Sequence, residues 1–89
     1  MEDTKLTIFL KELRRKIQKR EAVRIDATRW GFLKPHEIGL GERALLAGPD
    51  IAIYQGPGGY WEFATVDNEI KVTPISEEDV RDFKRSFST

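Results

Sequence analysis

The stretch DIAIYQGPGGYWEFATVDNEIKVT, residues 50–73, decides the fold of this 89-residue chain. Apolar and polar side chains alternate in three runs, and a period of two is typical of a β-strand with one buried face. The alternating apolar residues are Ile51 and Ile53, Trp61 and Phe63, and Ile70 and Val72. Asp67 and Asn68 tolerate positive φ and suit a two-residue hairpin turn, whereas Gly56-Pro57-Gly58-Gly59 predicts a longer one. These features predict an antiparallel meander.

An amphipathic helix is predicted on each side of this meander. Between Lys5 and Arg20 the apolar residues recur at helical spacing, at Leu6, Phe9, Leu10, Leu13 and Ile17. Ile8 lies opposite this stripe and is a candidate for an exposed apolar residue. Near the other end, Ser76 is expected to cap a second helix with Asp79 at its third position. Its buried stripe is predicted to contain Val80, Phe83 and Phe87.

The fold class that follows is α+β, with residues 1–89 forming one domain. Residues 22–27 alternate and predict a short edge strand, so the meander has three to four strands, packed by an N-terminal and a C-terminal helix. We expect both helices on one face of the sheet. The other face would then display Ala52, Tyr54, Glu62, Ala64 and Lys71. That face is either solvated or covered by residues 30–46, which would make a small half-open barrel.

Composition limits the compartment and the partners. The chain has 15 basic and 15 acidic residues, so a net charge of zero gives no overall attraction to nucleic acid or to a membrane surface. It has no cysteine, which fits a reducing compartment. No apolar run reaches the length of a signal-peptide core or a membrane span. We therefore expect a cytoplasmic protein without a membrane partner.

Catalytic chemistry is not indicated. His36 is the only histidine, and the neighbouring Glu37 is too close in sequence to aim easily at the same substrate or metal. No serine or threonine lies in a nucleophile motif, and there is no thiol. We expect no catalytic residue, no metal site and no cofactor.

Two aromatic segments are the candidate binding sites. The glycine-rich hairpin loop at residues 55–61 has Tyr54, Tyr60 and Trp61 at its base, and the connecting segment contributes Trp30 and Phe32. Rigid aromatic side chains of this kind are favoured at protein interfaces. The sequence thus predicts a small non-catalytic protein-interaction module, such as a regulator, an inhibitor or an accessory subunit of a larger complex.

Two alternatives stay open at this stage. Residues 1–20 carry seven basic and three acidic side chains, and Lys11, Arg14, Arg15 and Lys19 are candidates for contact with nucleic acid. These residues spread over the polar arc of the helix instead of forming one ridge, and no nucleic-acid-binding motif accompanies them. The second alternative is a structural subunit of an assembly, which would self-associate.

Overall fold

The computed structural model describes the backbone of residues 2–88 and the side chains of residues 5–86. In chain order the elements are α1 (Glu2–Gln18), β1 (Val23–Asp26), α2 (Ala27–Trp30), a 3₁₀ helix (Pro35–Ile38), β2 (Leu46–Ala47), β3 (Ile51–Gly56), β4 (Gly59–Val66), β5 (Glu69–Ile75) and α3 (Glu77–Ser88). Within this described part of the chain, no helix combines the length and the apolar composition that crossing a bilayer requires.

The strands form one open antiparallel sheet in the order β1-β5-β4-β3-β2. The α+β class and the central meander of β3, β4 and β5 are confirmed. The predicted count of three to four strands is wrong, because the two-residue β2 adds a fifth strand beside β3. The half-open barrel is not confirmed, because the sheet is open, with β1 and β2 at its two edges. A strand as short as β2 has no alternation from which to predict it.

Both turns of the meander contain two residues. Val66 pairs with Glu69, and Asp67 between them has φ of +56°, which confirms the predicted tight turn. Gly56 pairs with Gly59, so the other turn consists of Pro57 and Gly58 and is shorter than predicted. Gly58 has φ of +77°, which fits the second central position of a type II turn after a proline.

The two faces of the sheet differ from the predicted arrangement. Tyr54 pairs with Trp61 and Ile53 pairs with Glu62. Because paired residues share a face and neighbours along a strand alternate, Ile53 lies on the face opposite Trp61. Ala52 and Tyr54 therefore belong to the Trp61 face, which is not the face that the sequence predicted for them.

Each face carries its own helix and its own hydrophobic core. The core on the α1 face contains Leu13, Ile17, Val23, Ile25, Leu33, Ile38, Leu40, Trp61, Ile70 and Val72. The smaller core on the other face contains Ile53, Ile75 and Val80, with Leu46, Tyr60 and Phe83 packed against it. The expectation of two helices on one face is therefore wrong. Residues 31–41 join α1 on its side of the sheet, which explains their apolar content.

Helix α3 begins as predicted. The Asp79 backbone N–H donates to Ser76 Oγ, and the Ser76 N–H donates to Asp79 Oδ2, each over 3.1 Å. This reciprocal pair satisfies two backbone N–H groups at the helix start. Val80 is buried beside Ile75, which fixes the first turn of α3 on the sheet. The side chain of Phe87 lies outside the described residues.

The end of α1 is held by Arg20. The Arg20 N–H bonds the Ile17 carbonyl and the next N–H bonds the Lys16 carbonyl, which closes the helix in a Schellman motif. Arg20 itself has φ of +60°, at a position that glycine usually occupies. A non-glycine residue at this φ stores about 1 kcal/mol of strain.

The Arg20 side chain compensates for that strain by joining three parts of the fold. Its guanidinium donates to the carbonyl oxygens of Pro57 and Ile75, each at 3.0 Å, and lies 5.5 Å from the centroid of the Trp61 ring. The indole N–H of Trp61 donates to the same Pro57 oxygen at 3.0 Å. A Cβ on Gly58 would lie 2.8 Å from Arg20 Cδ, so the turn also needs a glycine there for space. We call this contact set the Arg20 junction.

Replacing Arg20 tests the junction. We expect Arg20→Ala to lower the free energy of unfolding by about 2 kcal/mol, since two charged hydrogen bonds to backbone oxygens are lost. Arg20→Gly removes the same side chain but also the backbone strain, so it should be about 1 kcal/mol less destabilising than Arg20→Ala. Urea denaturation measures both values.

Arg81→Ala is the matched control. Arg81 is an exposed arginine 3.5 Å from Glu77, and its loss should change the unfolding free energy by less than about 0.5 kcal/mol. Equal stabilities for Arg20→Ala and Arg81→Ala would contradict the role given to the Arg20 junction.

Candidate functional site

The five aromatic residues predicted to bind a partner lie in different places. Trp61 is fully buried, with 0% of its surface exposed, so it offers no area to a partner and we remove it from the candidate surface. Tyr54 is half-buried on the α1 face, edge-on to Phe63 at 6.0 Å. Tyr60 is half-buried on the opposite face, against the smaller core. The glycine-rich loop thus does not gather these side chains into one surface.

The other two aromatic residues do lie together. Trp30 ends α2 and stacks on Phe9 of α1, with ring centroids 4.4 Å apart and ring planes 15° apart. Phe32 lies 6.1 Å from Trp30, centroid to centroid, and is 61% exposed. The Asp26 side chain caps α2 by accepting the Thr28 N–H at 3.0 Å. This cap starts the single turn that brings Trp30 back onto α1.

The stacked pair forms part of a groove between α1 and α2, which we call the Ile8 groove. Its volume is about 440 Å³, and it is lined by Lys5, Ile8, Phe9, Glu12, Arg29 and Trp30. Ile8 is 61% exposed, as its place opposite the core stripe predicts. The sequence did not indicate that Phe9 also belongs to this surface, because its spacing fits the core stripe equally well.

Ile8 is the apolar residue on the outer side of the N-terminal half of α1. Leu6, Phe9 and Leu10 are half-buried against the core, whereas Ile8 points away from it, among exposed polar and charged side chains. Together with the exposed ring of Phe32, Ile8 makes this side of the helix a candidate contact surface.

Charges of both signs surround the Ile8 groove. The Arg15 guanidinium bonds Glu12 at 2.7 Å and lowers the pKa of that carboxyl, so Glu12 is negative at neutral pH. The Arg29 guanidinium lies 5.1 Å from the centroid of the Trp30 ring. An apolar floor with a mixed charged rim is the general plan of protein–protein interfaces.

The predicted nucleic-acid contacts fall into two groups. Arg14 Nε donates to the Glu37 carbonyl at 2.8 Å, and Arg15 is bonded to Glu12, so both arginines are engaged within the protein. Lys11 and Lys19 are exposed on α1. The structure therefore does not present the four residues as one basic ridge.

The remaining polar features are less suited to hold a ligand. His36 is exposed on the 3₁₀ helix. Among the described residues, no three histidine, aspartate or glutamate side chains are grouped where they could hold a metal ion. On the α3 face, a second cleft of about 360 Å³ contains Arg24, Glu69 and Lys71, and Arg24 Nε lies 3.5 Å from Glu69 Oε1. That cleft is polar, and its arginine and glutamate pair with each other.

Comparison with known proteins adds no assignment. A scan against protein-family models, a search of curated proteins and a search of solved structures each found no match to this chain. The case for a function therefore depends on the Ile8 groove and the aromatic side chains beside it.

Proposed function

We propose that this chain is a small non-catalytic protein-interaction module that binds a protein partner through the Ile8 groove and Phe32. Such a module acts as a regulator, an inhibitor or an accessory subunit. The observation that carries the proposal is the pair of exposed apolar residues, Ile8 and Phe32, beside the Phe9–Trp30 stack. The lack of cysteine fits a reducing, cytoplasmic setting for this interaction.

The energetics of the surface support binding. Covering Ile8 and Phe32 removes apolar area from water and contributes about 1 kcal/mol for each side chain. Trp30 is already ordered by its stack on Phe9 and by Arg29 at its ring face. A partner that contacts this indole therefore loses little side-chain entropy on binding. Tryptophan and arginine are also the residue types that most often dominate binding energy at interfaces.

The proposal differs from the sequence-based prediction in its anchors. Trp30 and Phe32 keep their role, and Ile8 and Phe9 replace the residues of the glycine-rich loop. The glycine-rich loop instead has a role within the fold. Its Pro57 carbonyl oxygen accepts hydrogen bonds from the Arg20 guanidinium and from the Trp61 indole N–H. Tyr54 and Tyr60 lie outside the Ile8 groove.

Photo-crosslinking in the native cell tests the proposed surface. With benzoylphenylalanine in place of Phe32, we expect covalent capture of a defined protein partner, identified by mass spectrometry. The matched control places the same group at Val66, an apolar residue that is 47% exposed on the opposite face. Adding Ile8→Glu to the Phe32 variant should abolish the capture without unfolding the chain, because Ile8 is exposed.

Two results count against the proposed surface. One is capture that is equally strong at positions 32 and 66, which indicates random encounter. The other is capture at position 32 that persists with Ile8→Glu while circular dichroism shows an intact fold.

Nucleic-acid binding stays a prediction of the sequence with its own test. It requires the wild-type chain to shift single- or double-stranded probes in a mobility assay at low salt, with an affinity that salt weakens. In our proposal Lys11 and Lys19 do not contact nucleic acid, so we expect no shift of the probe. The assay should use about 50 µM protein, a concentration at which even non-specific nucleic-acid binding is detected. A shift that disappears in a Lys11→Glu, Lys19→Glu double variant would favour nucleic acid over a protein partner.

A further inference from the structure

Helix α1 carries a second stripe beside its core stripe. Lys5, Ile8, Phe9 and Glu12 follow the spacing i, i+3, i+4 and i+7, which places them along one side of the helix. All four residues line the Ile8 groove. The core stripe, with Leu13 and Ile17 buried at its C-terminal end, faces the sheet instead. The second stripe is therefore presented to whatever occupies the groove.

The order of residues in this stripe is self-complementary. Along the helix it reads cation, apolar, apolar, anion. A two-fold axis between Ile8 and Phe9 places an antiparallel copy so that Lys5 faces Glu12 of that copy and Ile8 faces its Phe9. Both charge pairs are then of opposite sign. A parallel copy would place Lys5 against Lys5 and Glu12 against Glu12, which is repulsive.

We infer that the occupant of the Ile8 groove is a second copy of this chain, with the two α1 helices packed antiparallel about a two-fold axis. This inference rests on the proposed function, because it names the partner of the same surface. Most soluble homo-oligomers have closed symmetry, and a two-fold interface uses the same patch on both subunits. The stripe of Lys5, Ile8, Phe9 and Glu12 meets this requirement on its own.

The residues around the stripe are compatible with this pairing. Glu12 is held by Arg15 at 2.7 Å, yet its side chain is 51% exposed and leaves an open approach for Lys5 of the copy. Trp30 and Phe32 lie beside the stripe and extend the apolar contact past the two helices. Two helical turns and two aromatic rings make a small interface, and interfaces below about 1,200 Å² are weak or transient. We expect a weak dimer, with a dissociation constant between about 10 µM and 1 mM.

Charge reversal of the full chain tests this inference by analytical ultracentrifugation. At low salt, the wild-type chain should pass from monomer to dimer between about 10 µM and 1 mM, the range of a weak interface. Lys5→Glu makes both ends of the stripe acidic, and Glu12→Lys makes both ends basic. Each variant alone should dimerise about tenfold more weakly than wild type, because two attractive pairs become repulsive.

The mixture of the two variants provides the sharpest comparison. In a heterodimer of Lys5→Glu with Glu12→Lys, both charge pairs are again of opposite sign. Mixing should therefore restore dimerisation to about the wild-type level. If either variant were unfolded, the mixture could not form this heterodimer. Lys11→Glu, a reversal of the same size on α1 but outside the Ile8 groove, is the matched control and should leave dimerisation within about twofold of wild type.

Three results overturn the inference: a wild-type chain that stays monomeric at about 1 mM, a mixture that dimerises no better than its components, or equal weakening by Lys11→Glu. Its failure is distinguishable from failure of the proposed function. If the chain is monomeric but position 32 captures a different protein in an Ile8-dependent way, the protein-binding surface stands and only the self-association is wrong. If neither occurs, both are wrong.

Discussion

The contact between Arg20 and the Pro57 carbonyl holds the C-terminal end of α1 on the sheet. This residue closes the helix in a strained left-handed conformation, and its guanidinium ties the helix end to the β3–β4 turn and to the end of β5. Trp61 donates to the same oxygen from beneath, so the helix end, the turn and the buried indole share one acceptor. The strain persists because these contacts outweigh it.

The open surface lies toward the other end of α1. Near the junction, Leu13 and Ile17 are buried, whereas the N-terminal half of α1 is covered only in part, with Trp30 stacked on Phe9. Ile8 faces solvent because it lies opposite the core stripe of α1, and α2 covers this half of the helix with only a single turn. The candidate site thus lies on the outer side of α1, and it needs no pocket within the small cores.

Much of this fold could be predicted from the sequence, because helical and strand periodicities are local. The predicted assignment of residues to the two faces was wrong because it assumed the wrong register between β3 and β4. The two-residue turn between these strands pairs odd-numbered with even-numbered residues, so Ile53 lies opposite Glu62 and not opposite Trp61. Trp30 and Phe32 could be named as candidates and Ile8 as exposed. Their meeting with Phe9 could not be predicted, because the four-residue α2 is too short to show a period.

We infer above that a second copy of this chain contacts the Ile8 groove, whereas the Arg20 junction takes no part in that contact. The two tryptophans report on these regions separately, since Trp30 lines the groove and Trp61 is fully buried. A dilution series of ¹⁵N-resolved NMR spectra tests the claim most directly. We predict that the Trp30 indole and the backbone amides of residues 5–12 shift with protein concentration while the Trp61 indole does not. Shifts centred on Trp61 and the β3–β4 turn, or no shift in α1 at any concentration, would contradict the account.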